Sequence, residues 1–322
     1  MSPFNPDPYR FLLARQNTAP ETVPYGGWPN CLRLANADVE AIVSLDVGPR
    51  ILSYRRHGAP NVLKNYPEQL GGTREEAWMI RGGHRLWIAP EDEHLSYHRD
   101  NEPVTWVMND VGGIVIASRM TSPHRLRKDL TLRLAPNGSG LRLVHSITNE
   151  GDSPITLATW ALSVMAPGGT EIIPQPPLGE HPRDLLPNRN MVLWPYTDLA
   201  DRRWKLGRSF FLLRQQSDSA PTKLGLAHRE RWVGYLLGNE LFLKTFAWEN
   251  GATYPDGGCN FETFTNGDML EIESLGPMVS LQPGETTSHE ERWHLFEAPT
   301  GIDCDDESSL ERMLNPMISA IL

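Results

Sequence analysis

The sequence predicts an all-β chain, a large antiparallel sandwich or barrel that ends in one short helix. Three observations carry that prediction. Apolar and polar residues alternate through much of the chain, Gly, Pro, Asn and Asp punctuate the alternating runs, and a three-and-four apolar spacing stands out at the end.

Residues 39–46, 113–118, 129–134 and 140–145 approximate a two-residue period, as half-buried strands do. Further strands are predicted at 155–165, 208–214, 232–237, 241–248, 269–274 and 286–296, many of them bounded by turn residues. The Pro-rich stretch 173–187 cannot donate regularly to a ladder, so it reads as a long loop that either lines a binding site or connects two halves of the sandwich. From 305 to 322, Leu310, Met313, Leu314, Met317, Ile318 and Ile321 follow an acidic, Ser-containing start, which is the pattern of a capped amphipathic helix packed on the sandwich. The 27 glycines and 27 prolines are spread along the chain. No linker is apparent, and 1–322 reads as one domain.

Hydrophobic residues make up 39% of the 322 and charged residues 22%, ordinary values for a folding chain. A net charge of −10 argues against a nucleic-acid or anionic-membrane partner, because those need a basic face. Cys31, Cys259 and Cys304 form no C-x-x-C pair, so neither a disulfide framework nor a thiolate zinc site is predicted. Residues 1–16 lack the apolar stretch of a secretion signal, and no run approaches the roughly 18 apolar residues of a membrane span. The expected location is the cytoplasm.

Two stretches can carry chemistry. Arg81-Gly82-Gly83-His84-Arg85-Leu86-Trp87-Ile88-Ala89-Pro90-Glu91 gathers guanidinium, imidazole, indole and carboxylate groups around a glycine pair. That mixture suits a sugar, whose hydroxyls take charged partners and whose C–H face stacks on Trp. It equally suits a structural strand with Trp87 in the core and Arg81 paired to Glu91. In the second stretch, Glu271 and Glu273 share one strand face while Leu270 and Ile272 take the other. An acidic face that lines a cleft would raise one carboxyl and fit it for proton transfer; one that faces water would only solubilise. His84, Glu91, His94 and His98 are metal ligands on paper, but their spacing matches no helical zinc motif, and neither metal nor cofactor is expected.

In order along the chain, Val47-Gly48-Pro49-Arg50-Ile51-Leu52, Arg81-Gly82-Gly83, the segment 149–169 and Val279-Ser280-Leu281-Gln282-Pro283-Gly284-Glu285 resemble the galactose mutarotase-like superfamily, in an aldose 1-epimerase-like group. The resemblance covers about 35–297. It implies a twisted antiparallel β supersandwich with a concave sugar cleft, a C-terminal helix at about 305–320 lying outside it.

In that superfamily a late-strand glutamate takes the proton of the anomeric hydroxyl and a histidine protonates the ring oxygen. Here the resemblance puts Glu273 in the glutamate's place, with Glu262 and Glu271 as alternatives, and Trp160 where the histidine belongs. His84 or His98 would then have to supply the acid. Arg81, Arg85, Trp87 and Glu91 are further candidate contacts, with Lys223 and Asp256 beside turns as weaker ones.

The reading is a sugar mutarotase acting on a small carbohydrate, a sugar or sugar acid, without cofactor. Its competitors are a non-catalytic sugar binder and a lyase or hydrolase for an acidic oligosaccharide. The sequence leaves the oligomeric state open, a homo-oligomer included.

Overall fold

The computed structural model describes residues 20–110, 112–120 and 124–322. Residues 1–16, read above as lacking a secretion signal, lie outside the described part. The strands in chain order are β1 Glu21–Tyr25, β2 Trp28–Ala35, β3 Val39–Ser44, β4 Arg50–Arg56, β5 His84–Ala89, β6 Thr105–Met108, β7 Ile114–Met120, β8 Leu126–Leu134, β9 Leu141–Asn149, β10 Ile155–Met165 and β11 Thr170–Pro174. They continue with β12 Met191–Leu193, β13 Trp204–Leu206, β14 Phe210–Arg214, β15 Thr222–Leu226, β16 Trp232–Leu237, β17 Glu240–Phe246, β18 Phe261–Thr265, β19 Leu270–Leu275, β20 Val279–Leu281 and β21 Thr286–Glu297. One helix, α1 Glu307–Ile321, follows.

Two antiparallel sheets result. The first runs β1-β2-β3-β4-β5-β10-β19-β18-β15-β12, with β20 added beside β10; the second runs β13-β14-β11-β16-β17-β21-β9-β8-β7-β6. Each segment predicted as a strand overlaps one of these.

Alternation explains the layering. In β8 the inward phase is Leu126, Lys128, Leu130, Leu132 and Leu134, and in β21 it is His289, Glu291, Trp293 and Leu295. Leu143, Trp293 and Phe242 from the second sheet pack with Ile51, Phe261 and Ile272 from the first in one continuous core. Each fully buried aliphatic or aromatic side chain there contributes roughly 1.5–3 kcal/mol.

Helix α1 begins at Asp306, whose side chain accepts a hydrogen bond from the Ser308 amide at 3.0 Å. Leu310, Met313, Leu314 and Ile321 are buried against Ile172, Phe210, Leu212, Trp232 and Leu241 on the outer face of the second sheet. No helix among the described residues is long and apolar enough to cross a membrane.

The glycine pair at 82 and 83 has a steric cause. Both take positive φ, and a Cβ at Gly82 would lie 2.1 Å from the Lys64 carbonyl oxygen, one at Gly83 2.3 Å from that of Ile51. Only glycine lets the chain cross there to enter β5. Residues 175–190 form no strand and carry the chain from β11 in the second sheet to β12 in the first. The connector reading of the Pro-rich stretch fits that path.

Candidate active site

Five adjacent strands of the first sheet, β5, β10, β19, β18 and β15, bring the predicted residues together. Their register aligns Arg85, Leu162, Glu273, Glu262 and Gly225 in one row. The next row on one side holds Trp87, Trp160 and Leu275, and on the other Val164, Glu271, Phe264 and Lys223. All face away from the second sheet, because their neighbours Leu224, Phe261, Leu270 and Ile272 fill the core between the sheets.

Charge is concentrated at the centre. Lys223 Nζ lies 2.7 Å from Glu262 Oε2 and 3.1 Å from Glu273 Oε2. Trp160 Nε1 donates to the same Glu273 oxygen at 2.8 Å. Glu262 and Glu273 are 0% and 1% exposed, so bulk water screens neither. Burial pushes the Glu262 carboxyl well above the ordinary range, with Lys223 opposing and Glu273 adding to the rise. Glu273 is raised as well, again chiefly by burial, with Lys223 opposing. Burial works against the Lys223 ammonium, yet Glu273 and Glu262 hold its proton more tightly than usual. One cation thus serves two carboxyls, and the three groups titrate as a unit.

Aromatic rings enclose this centre. Lys223 Nζ sits 4.7 Å from the ring centroids of both Trp160 and Trp194. The Arg85 guanidinium lies 4.6 Å from Trp87 and 5.5 Å from Trp78, and Tyr97 packs on Trp87 at 4.8 Å. Arg85 donates from Nη2 to Glu271 Oε1 at 3.2 Å. Its Nε and Nη1, the Trp78 indole N–H and Glu262 Oε1 are buried without a hydrogen-bond partner among the described residues. Unpaired buried donors and acceptors are costly. A ligand bearing hydroxyls, each both donor and acceptor, would satisfy both kinds.

Other predicted residues lie elsewhere. Glu91 is exposed beyond the end of β5 and accepts from the Tyr97 hydroxyl at 2.5 Å, so it belongs to the rim. Asp256 occupies a left-handed turn position, half-buried, and its carbonyl accepts from Cys259 Sγ.

Three expectations need correction. His84 points into the layer between the sheets, opposite to Arg85 and Trp87, because successive residues of β5 alternate faces. Arg81 is completely buried at the entry to β5, donating to the Gln69 carbonyl at 2.6 Å and to Glu75 at 2.5 Å, with Trp28 stacked on its guanidinium. Its carboxylate partner is Glu75, not Glu91. His98 borders a slot beside Asp100 and Lys128, whose lining includes Trp87 but neither Glu262 nor Glu273.

Between the sheets, directly behind this face, lies a second polar cluster. Lys244 Nζ is 2.6 Å from Glu291 Oε1, Trp293 Nε1 donates to Glu291 Oε2 at 3.0 Å, and Ser274 Oγ donates to Glu291 as well. His84 Nε2 meets His145 Nε2 at 2.8 Å, while His84 Nδ1 contacts Ser163 Oγ at 2.9 Å. Burial drives the His84 and His145 imidazoles well below their ordinary value, His145 to about 3, so both are neutral. His84, His145 and Glu291 present ligand atoms within 4.8 Å of one another. The Lys244 ammonium already neutralises that carboxylate, so a dication there would face a fixed positive charge, and the donor set fits a hydrogen-bonded network better than a metal.

The sequence reading missed Trp78, Tyr97 and Trp194, which sit in loops and carry no periodic signal. It also missed His145, Lys244 and Glu291. His145 shares its phase with Leu141 and Leu143, and Glu291 with Trp293 and Leu295, so a polar residue in an apolar phase was the available clue.

No protein-family model matches the sequence, and no curated protein matches it. Solved structures do. A TPR-domain containing protein from Parabacteroides distasonis aligns over 84% of this chain with a TM-score of 0.58 at 15% identity; this chain spans about half of that protein, 48%. A galactose mutarotase-like protein from Lactobacillus casei aligns over 83% of this chain and 100% of its own, with a TM-score of 0.56 at 9% identity. Galactose 1-epimerase from Lactobacillus acidophilus aligns over 87% and 99%, with a TM-score of 0.51 at 12% identity. The chain has the galactose mutarotase-like fold. At these identities the likeness speaks for the fold alone.

Proposed function

We propose that this chain opens and recloses the ring of a sugar by general acid/base catalysis on the outer face of the first sheet. The observation that carries the reading is Lys223 bridging Glu262 and Glu273 inside an aromatic enclosure. Glu273, ionised against Lys223, takes the proton of the anomeric hydroxyl. Glu262, kept protonated by burial, gives its proton to the ring oxygen as the bond from that oxygen to the anomeric carbon breaks and the aldehyde forms. After the aldehyde rotates, Glu262 takes the proton back and Glu273 returns its own, so the ring closes on either face. The pair carries one negative charge throughout, and Lys223 sees no net change. Arg85 and Trp78 supply donors to the remaining hydroxyls, and Trp87, Trp160 and Trp194 offer surfaces for the C–H face.

A non-catalytic sugar-binding protein is the second reading. It is favoured by one observation: Glu273 Oε2 already accepts from both Trp160 and Lys223, which makes it a weaker base.

The test is NMR of freshly dissolved α-anomers across neutral, acidic and phosphorylated sugars. Wild type should speed equilibration of at least one of them, and Glu273→Gln and Glu262→Gln should each lose at least 100-fold. Equilibration at the buffer rate for every sugar removes the catalytic reading. A ligand-induced rise in melting temperature would then leave the binding one.

A further inference from the structure

The first sheet is nearly interrupted between β4 and β5. These strands pair only at Ile51 and His84, so from Arg85 onward that edge of β5 has no strand beside it. A slot opens there. Its outer part has a volume of about 450 Å³, bordered by Arg74, Arg99, Asn101 and Ser118 among others. Its inner neck, about 20 Å³ between His98, Asp100, Leu86 and Lys128, has room for about one water.

The charges in the slot do not balance. Each carboxylate that borders it is already held by an arginine: Glu75 by Arg81 at 2.5 Å, Asp100 by Arg50 at 2.6 Å, Glu102 by Arg74 at 3.3 Å and Asp129 by Arg127 at 2.9 Å. Lys128 has no carboxylate within ion-pair distance among the described residues. It makes one hydrogen bond among them, to the neutral Leu86 carbonyl at 3.1 Å. The β8 alternation sends Lys128 inward, in phase with Leu126 and Leu130, and it is 8% exposed. A buried ammonium without an anion is expensive.

The geometry points to a second ligand site, in which Lys128 at the floor of this slot binds a small anion, a carboxylate or a phosphate, with Arg99 and His98 nearer the mouth. Lys128, His98 and Arg99 all border the outer part, so the anionic group sits at its inner end against Lys128, and the neck behind holds no more than a water. Burial holds the Lys128 ammonium down to about 8, with Asp100 opposing and Arg85 and Arg50 adding to the effect, which is how a cation behaves before its counter-charge arrives. Its floor is distinct from the sugar site, because Lys128 projects into the layer between the sheets and the carboxyl pair lies on the opposite face of the first sheet, although Trp87 borders both.

Isothermal titration with inorganic phosphate, acetate and neutral glycerol tests it. Wild type should show one saturable site for phosphate or acetate and none for glycerol. Whichever anion binds identifies the source. Lys128→Met, which removes an uncompensated charge at nearly constant length, should weaken that binding at least tenfold, and Lys205→Met, on the surface, should not change it. If Lys128→Met does not fold, the exposed Arg99→Gln decides, with an expected loss of several-fold. The proposal is overturned if neither anion binds, if Lys128→Met binds as wild type does, or if Arg99→Gln does so where Lys128→Met cannot be made.

Discussion

Replacing Lys223 with methionine removes the cation shared by Glu262 and Glu273 while keeping most of its volume between Trp160 and Trp194. At pH 7 the wild-type trio needs only one of the two carboxyls protonated; without the ammonium, both must be. Holding one more carboxyl protonated at pH 7, against an ordinary value near 4.3, costs about 3.7 kcal/mol, within the range of about 3–5 kcal/mol for breaking a buried ion pair. The sign follows from linkage. A carboxyl raised in the folded state binds a proton that the unfolded chain has released, so this contribution is full below about pH 4 and is lost as pH rises. The variant should therefore be about 3.7 kcal/mol less stable than wild type at pH 7. By pH 4 the difference should shrink to nothing or reverse, because wild type then buries an ammonium with no anion beside it. Urea unfolding at both pH values measures this. An equal deficit at pH 4 and pH 7 would refute the electrostatic account and assign the loss to packing against the two indoles.

Three further outcomes are expected. Glu291→Gln should destabilise by about 3 kcal/mol by stranding the Lys244 ammonium, and Lys244→Met in the same chain should recover most of the loss, both read by urea unfolding. Arg81→Ala should lower the melting temperature, because Glu75 and the Gln69 carbonyl lose their donor, yet leave the affinity of the folded protein for any sugar it binds within twofold. Trp194→Ala should do the reverse, with melting nearly unchanged and sugar affinity reduced about five- to thirtyfold through loss of one stacking surface, measured by titration calorimetry.

Much of this architecture was legible because each strand that packs on the core alternates. The face of β19 is the clearest case: Leu270 and Ile272 fall inward and Glu271 and Glu273 outward, as their spacing predicts. Glu262 and Glu273, alternatives for one role in the sequence, are cross-strand partners in the structure. The face of β5 was not legible. All six of its residues are buried, since the core covers one side and the aromatic enclosure the other, so no polar phase distinguishes His84 from Arg85. The loop aromatics were invisible for a different reason, because no period links Trp78, Tyr97 and Trp194 to the strands they cover.

The network centred on Glu291 also governs how the two layers sit on each other. Oily surfaces slide with little penalty, whereas Ser274 bonded to Glu291, His84 to His145, and Lys244 to the Ala161 and Ile272 carbonyls each tie one sheet to the other at a set distance. Ser274 adjoins Glu273 in the chain, His84 adjoins Arg85, and Ser163 adjoins Leu162. Whatever fixes the alignment of these inward residues therefore also fixes the spacing of their outward neighbours, so a substitution far from any ligand can retune the outer face by shifting one layer against the other.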